Sequence, residues 1–158
     1  ELCQLAGKIA QFEDRFIPQK ALSHGQQVQK VFGINGAKAQ AQQGFPTIVK
    51  FGLPELDKSR QTQGNETTAR VDALLAMMTT LDDTCVLYRA GETGLARMQQ
   101  GAQEVLDLGG YSTFAGQQAF NFLEQDLLRL RASPGGVADL LAATLFIDRV
   151  EQFYFNNK

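Results

Sequence analysis

Apolar residues recur every three or four positions through most of this chain, the spacing that lines one face of a helix. Leu2, Leu5, Ile9, Phe12 and Phe16 form the first such stripe, and Pro18 stops it. Ser23 can cap a second helix that carries Val28, Val31 and Phe32 and closes at Gly33. A short Ala- and Gln-rich helix is expected from Gly36 to Gln43, broken by Gly44 and Pro46. Residues 47–54 are apolar and read as one more helical turn or as an irregular strand. Residues 55–64 are polar and read as a mobile loop.

The second half is patterned more clearly. Asn65 caps a helix with Val71, Leu74, Leu75, Met78 and Leu81 on one face. Residues 83–89 predict a short turn or helix. Thr93 then opens a helix that turns Leu95, Met98, Ala102, Val105 and Leu106 inward and ends at Gly109-Gly110. Thr113 starts another, striped by Phe120, Leu123, Leu127 and Leu130. A last helix runs from Pro134 to about Phe155. Period-two alternation is absent, so the fold class is all-α, a bundle of about six to eight helices.

Composition supports one helical domain over residues 1–158: 44% hydrophobic, 20% charged, net charge −2. The acidic balance and scattered basic residues argue against general nucleic-acid binding. No apolar run approaches the ~20 residues of a membrane span, and Lys8, Glu13, Asp14 and Arg15 interrupt any leader-like segment. Cys3 and Cys85 have no metal-like spacing and read as reduced, buried thiols of a cytoplasmic protein. The chain begins at Glu1, already inside a helical pattern, and reads as part of a longer protein. A part so cut exposes apolar surface, so self-association or a companion fragment is expected.

The residues with chemical potential fall in three clusters. Ser133-Pro134-Gly135-Gly136 reads as a helix start with Ser133 at the N-cap and Pro134 at the first helical position. Two glycines follow where helix formers are preferred, each costing roughly 1 kcal/mol against Ala. Free N–H groups there would seat a phosphate; equally, the glycines would permit close packing in a tight interhelical turn. Asp139 follows in the second turn.

Asp82-Asp83-Thr84, with Arg89, is the second cluster. Acidic residues at the end of the 66–81 helix oppose its dipole, and a broken local rule hints at function. Two carboxylates and a hydroxyl could hold Mg²⁺ beside a triphosphate, or one could take a proton from an attacking hydroxyl. The plainer alternative is that Asp83 caps the next helix, paired to Arg89. In the third cluster the glycines of Gly33-Ile34-Asn35-Gly36 lead into a helix carrying Lys38, without the Gly-Lys-[Ser/Thr] ending of a P-loop. His24, the single histidine, reads as a capping or surface residue, and Met77-Met78 as core.

In order and spacing these segments resemble the triphosphoribosyl-dephospho-CoA synthases. The resemblance is carried by Gly33–Pro46, Leu53-Pro54, Asp83-Thr84-Cys85, Arg89-Ala90-Gly91, Gly109-Gly110 and Ser133–Leu141. It spans nearly the whole chain but about the C-terminal half of the family's length. The family's Ala-Arg-Gly-Glu stands here as Ala37-Lys38-Ala39-Gln40, its Asp-Thr-Asn as Asp83-Thr84-Cys85, its Arg-Gly-Gly as Arg89-Ala90-Gly91, and the Ser of its Gly-Gly-Ser-Ala-Asp as Val137.

The resemblance implies a cytoplasmic transferase that makes the prosthetic-group precursor for the acyl carrier subunits of citrate lyase or malonate decarboxylase. The 2′-hydroxyl of 3′-dephospho-CoA attacks C1 of the ATP ribose and adenine leaves. On that basis Asp83 and Asp139 are the catalytic candidates. Lys38, Thr84, Arg89, Gly91, Ser133, Gly135 and Gly136 are the phosphate and nucleotide candidates, and Asp82 with Asp83 the magnesium candidates. ATP and 3′-dephospho-CoA are the expected ligands. The alternative is a non-catalytic helical module that has lost chemistry, as at Gln40.

Overall fold

The computed structural model describes residues 1–11, 24–34, 36–63 and 65–156. Its helices are α1 (Leu2–Ile9), α2 (His24–Phe32), α3 (Ala37–Gln42), α4 (Leu53–Gln63), α5 (Glu66–Met78), α6 (Thr84–Asp107), α7 (Phe114–Arg129) and α8 (Gly135–Asn156). A π-helical turn, Ile48–Gly52, runs directly into α4. Among the described residues there is no strand, so the all-α expectation holds. Phe12, Phe16, Pro18 and Ser23, expected to stop the first helix and cap the second, lie outside the described residues.

α5 packs against α4, α6, α8 and the π-turn. Its buried set includes Leu75, Met77 and Met78, which join Ile48, Met98, Leu123 and Val137 in one core. This confirms the methionine pair as packing. α2 and α7 lie on α6, and α1 lies on α3.

Side-chain caps set the helix starts. Asn65 accepts from the N–H groups of Thr67 and Thr68, and Thr113 from that of Gly116. Gly91 interrupts α6 with φ 64° and ψ −165°, a backbone conformation suited to glycine. The two expected pieces, 83–89 and a helix from Thr93, are therefore two helices that meet in a kink at Gly91, and α6 denotes the pair.

The loop expected over residues 55–64 is helical as far as it is described: α4 occupies Leu53–Gln63. Pro54 sits in its first turn, where proline needs no N–H acceptor. α4 lacks an apolar stripe and is held at few points. Leu56 is buried against Ala69 and Ala73, and buried Ser59 donates its hydroxyl to Asp72 at 2.8 Å. Arg60 binds Glu66 at 2.8 Å and Asp148 of α8 at 2.8 Å. Polar residues that pair across the fold hold a helix which periodicity alone misses.

The expectation of buried thiols fails: Cys3 is half-buried and Cys85 exposed, both free. No helix among the described residues is long and apolar enough to cross a membrane.

Candidate functional site

α5 ends at Met78 with Thr79 as its cap, so Asp82 and Asp83 lie beyond it. They belong instead to the start of α6. Asp83 is its N-cap, with Oδ1 accepting from Cys85 N at 2.8 Å and Val86 N at 3.3 Å. The carboxylates thus sit at the positive end of a helix, and the expected clash with the dipole of α5 disappears. Half of the plainer reading holds: Asp83 is a cap, but Arg89 is exposed and has no ion pair among the described residues.

The other oxygen of Asp83 reaches across the fold. Oδ2 accepts from the backbone N–H of Val137 at 2.9 Å, so one carboxylate caps two helices. It is 1% exposed. Gly136 permits this approach, because a Cβ there would lie 3.1 Å from Oδ2.

Two further N–H groups at the start of α8 also have acceptors. Gly135 N donates to Ser133 O at 2.8 Å and Ala138 N to Pro134 O at 3.0 Å. The N–H group of Gly135 is therefore engaged within the chain, and both glycines lie close to α6: a Cβ at Gly135 would fall 3.0 Å from the Cys85 sulfur. The frame also shifts by one residue: α8 begins at Gly135, with Pro134 rather than Ser133 before it.

Several expected site residues do converge. Asp82, Asp83, Thr84, Gly136 and Asp139 line one recess of about 30 Å³, with Gly36 and Gln40 from the start of α3. Gly36 lets α3 approach Thr84, whose Oγ1 would lie 3.2 Å from a Cβ at that position. Asp82 and Asp139 are exposed, and Gln99 of α6 donates to Asp82 Oδ1 at 3.4 Å. Gln40 accepts from Thr47 N at 3.3 Å. Neither Gln40 nor Gln99 was among the expected site residues; the glycine-rich approach to α3 was the one signal for Gln40.

Other candidates lie elsewhere. Ser133, with Pro134, borders a separate groove of about 290 Å³ lined by Leu74, Met78, Phe120 and Leu128. Arg89 and Gly91 do not line the recess. The side chains of Lys38 and His24 lie outside what the structure describes.

Partial burial and the neighbouring Asp83 carboxylate push the Cys85 thiol up, which keeps it protonated near neutral pH and unsuited to nucleophilic attack. Among the described residues no group of three or more His, Cys, Asp or Glu could hold a metal ion. Asp83 fits the expected magnesium role poorly, since three N–H groups already occupy its oxygens.

Comparison with known proteins gives a consistent result. Residues 2–157 match the family model described as ATP:dephospho-CoA triphosphoribosyl transferase. The chain is 56% identical over 146 residues to a probable 2-(5''-triphosphoribosyl)-3'-dephosphocoenzyme-A synthase of Pseudomonas fluorescens Pf-5, covering 92% of this chain and 50% of that protein. A protein of the same description from Pseudomonas syringae pv. syringae B728a is 57% identical over 150 residues, 95% of this chain and 51% of that one. Another, from Azotobacter vinelandii, is 51% identical over 146 residues, 92% of this chain and 50% of that one. The chain spans about half the length of these curated relatives. No solved structure matches it.

Proposed function

The chain belongs to the ATP:dephospho-CoA triphosphoribosyl transferase family, and on that premise we propose that its recess is part of a site that transfers the triphosphoribosyl group of ATP to 3′-dephospho-CoA. In this reading the 2′-hydroxyl of 3′-dephospho-CoA forms a bond to C1 of the ATP ribose. The C1–N9 bond breaks, the hydroxyl proton passes to a carboxylate, and adenine leaves after taking up a proton. The triphosphate stays on the transferred ribose. The product is the prosthetic-group precursor of an acyl carrier subunit, of citrate lyase or malonate decarboxylase. A cytoplasmic location follows, because ATP is the substrate.

The observation that carries this reading is the meeting of two separated segments at one recess: Asp82-Asp83-Thr84 at the start of α6, and Gly136 with Asp139 on α8. Attack by a hydroxyl needs a carboxylate to orient it and take its proton. Asp139 and Asp82 are the exposed carboxylates there, and the Thr84 hydroxyl lies against Gly36 at the start of α3. Lys38, carried by α3, is the candidate for the positive charge that the phosphates need, while Arg89 does not line the recess. No step needs a metal on Asp83, and Asp82 is the exposed one of the two magnesium candidates.

A recess of about 30 Å³ holds one or two waters, while a nucleotide site needs several hundred Å³. The remaining walls come, in this reading, from polypeptide such as the longer relatives carry outside the matched region. The same polypeptide would cover α7, which packs mainly on α6 and leaves Phe114, Phe122 and Leu128 exposed, with Leu128 lining the 290 Å³ groove. The test is the melting temperature of the chain with ATP or with 3′-dephospho-CoA. A rise with either, lost in Asp139→Ala, is expected; no rise with either favours a non-catalytic helical module.

A further inference from the structure

The recess holds carboxylates of two kinds. Asp139 stands open on α8, without a hydrogen bond or ion pair to a described residue. Asp83 is almost wholly buried at the edge of the recess. Cys85 N and Val86 N point at Oδ1, Val137 N points at Oδ2, and the Cα of Gly136 packs over the carboxyl group. A group that is 1% exposed and accepts three backbone N–H bonds has little left with which to take a proton from a substrate.

We propose that Asp83 is a positioning residue: it ties the N-terminus of α6 to that of α8, and so sets the spacing between Asp82 and Thr84 on one wall and Asp139 on the other. This deepens the transferase reading and rests on it for the identity of the reaction. The tie itself rests on geometry alone. Asp83 and Val137 are 54 positions apart, so the bond joins two helix starts that the local chain does not hold together. Its place is also economical in charge, because the anion sits where the dipoles of both helices point.

The test separates the tie from the chemistry. Asp83→Asn keeps one oxygen for Cys85 N and Val86 N, but turns an amide NH₂ toward Val137 N–H, where a donor meets a donor. Asp83→Ser is the second variant; its hydroxyl still caps α6 but is too short to reach α8. Hydrogen exchange at the Val137 amide should rise about tenfold or more in either variant, and stay at the wild-type rate in Asp139→Asn. In the full-length protein, Asp83→Asn should lower kcat/KM while leaving the pH profile of adenine release unchanged in shape. Wild-type exchange at Val137 in both Asp83 variants would overturn the tie. So would loss of the acid limb of the pH profile in Asp83→Asn, since Asp83 would then be acting on the substrate. If the wild-type protein releases no adenine, the transferase reading falls, and Val137 exchange alone still decides the tie.

Discussion

Gly136 lies so close to Asp83 that a methyl group on its Cα would sit 3.1 Å from Oδ2 and 3.2 Å from Cγ. Glycine to alanine in a helix ordinarily stabilises by about 1 kcal/mol. Here the added carbon meets a carboxylate that three N–H bonds hold in place. Gly136→Ala is therefore expected to lose that gain and to destabilise by about 1 kcal/mol. Gly135→Ala meets the Cys85 sulfur at 3.0 Å, the end of a side chain that can turn, and should cost less. Urea denaturation of the two variants checks this, and a Gly136→Ala variant more stable than wild type would contradict it.

Asp72 plays a similar part elsewhere. It is 3% exposed and accepts from Ser59 Oγ at 2.8 Å and Tyr111 N at 2.8 Å. Gly110 gives it room, as a Cβ there would fall 2.8 Å from Oδ1. Asp72→Ala leaves both donors without a partner, and a loss of about 2–3 kcal/mol in unfolding free energy is expected. Asp72→Asn, which keeps an acceptor, should lose less.

Arg60 joins α4, α5 and α8 through Glu66 and Asp148. Hydrogen bonds from Arg60, reinforced by Arg70, hold the Glu66 carboxyl down to about 2, against an ordinary value of 4.5. The sign follows: this stabilisation is complete above pH 4.5 and is lost as pH falls toward 2. Melting temperature should therefore drop over that window in the wild-type protein, and less so in Glu66→Gln. Salt should shrink the difference, because Glu66 is part-exposed.

The outer face of α7 gives a prediction about assembly. Phe122 and Leu128 are 64% and 71% exposed. The chain alone should self-associate with rising concentration, and Phe122→Glu with Leu128→Glu should suppress this in sedimentation. In a protein of the relatives' full length the same pair should instead lower the melting temperature, because the face is covered there. An unchanged melting temperature would contradict the covering role.

Much of the fold was legible where one residue decides one feature. Asn65, Asp83 and Thr113 each cap a helix with their own side chain, and such caps announce themselves locally. α4 was not legible, because much of its support is polar and distant in sequence, from Asp72 to Ser59 and from Asp148, 88 positions from Arg60, with Leu56 its one fully buried apolar residue. The same limit applied to the site. The sequence singled out Asp83, Gly136 and Asp139, and order along the chain made them a group. Only the fold shows that Asp83 bonds to Val137 at the start of the helix where a phosphate was expected, because that bond spans 54 positions. The apparent clash of Asp82 and Asp83 with α5 arose from placing the end of that helix at Leu81 rather than Met78.

The most direct measurement of the central claim is adenine release from ATP by the full-length protein, followed by chromatography with and without 3′-dephospho-CoA, for wild type and Asp139→Asn. The account predicts release that requires 3′-dephospho-CoA and falls by about 100-fold or more in the variant. Release at near the wild-type rate in Asp139→Asn, or none from the wild-type protein with both substrates bound, would contradict it.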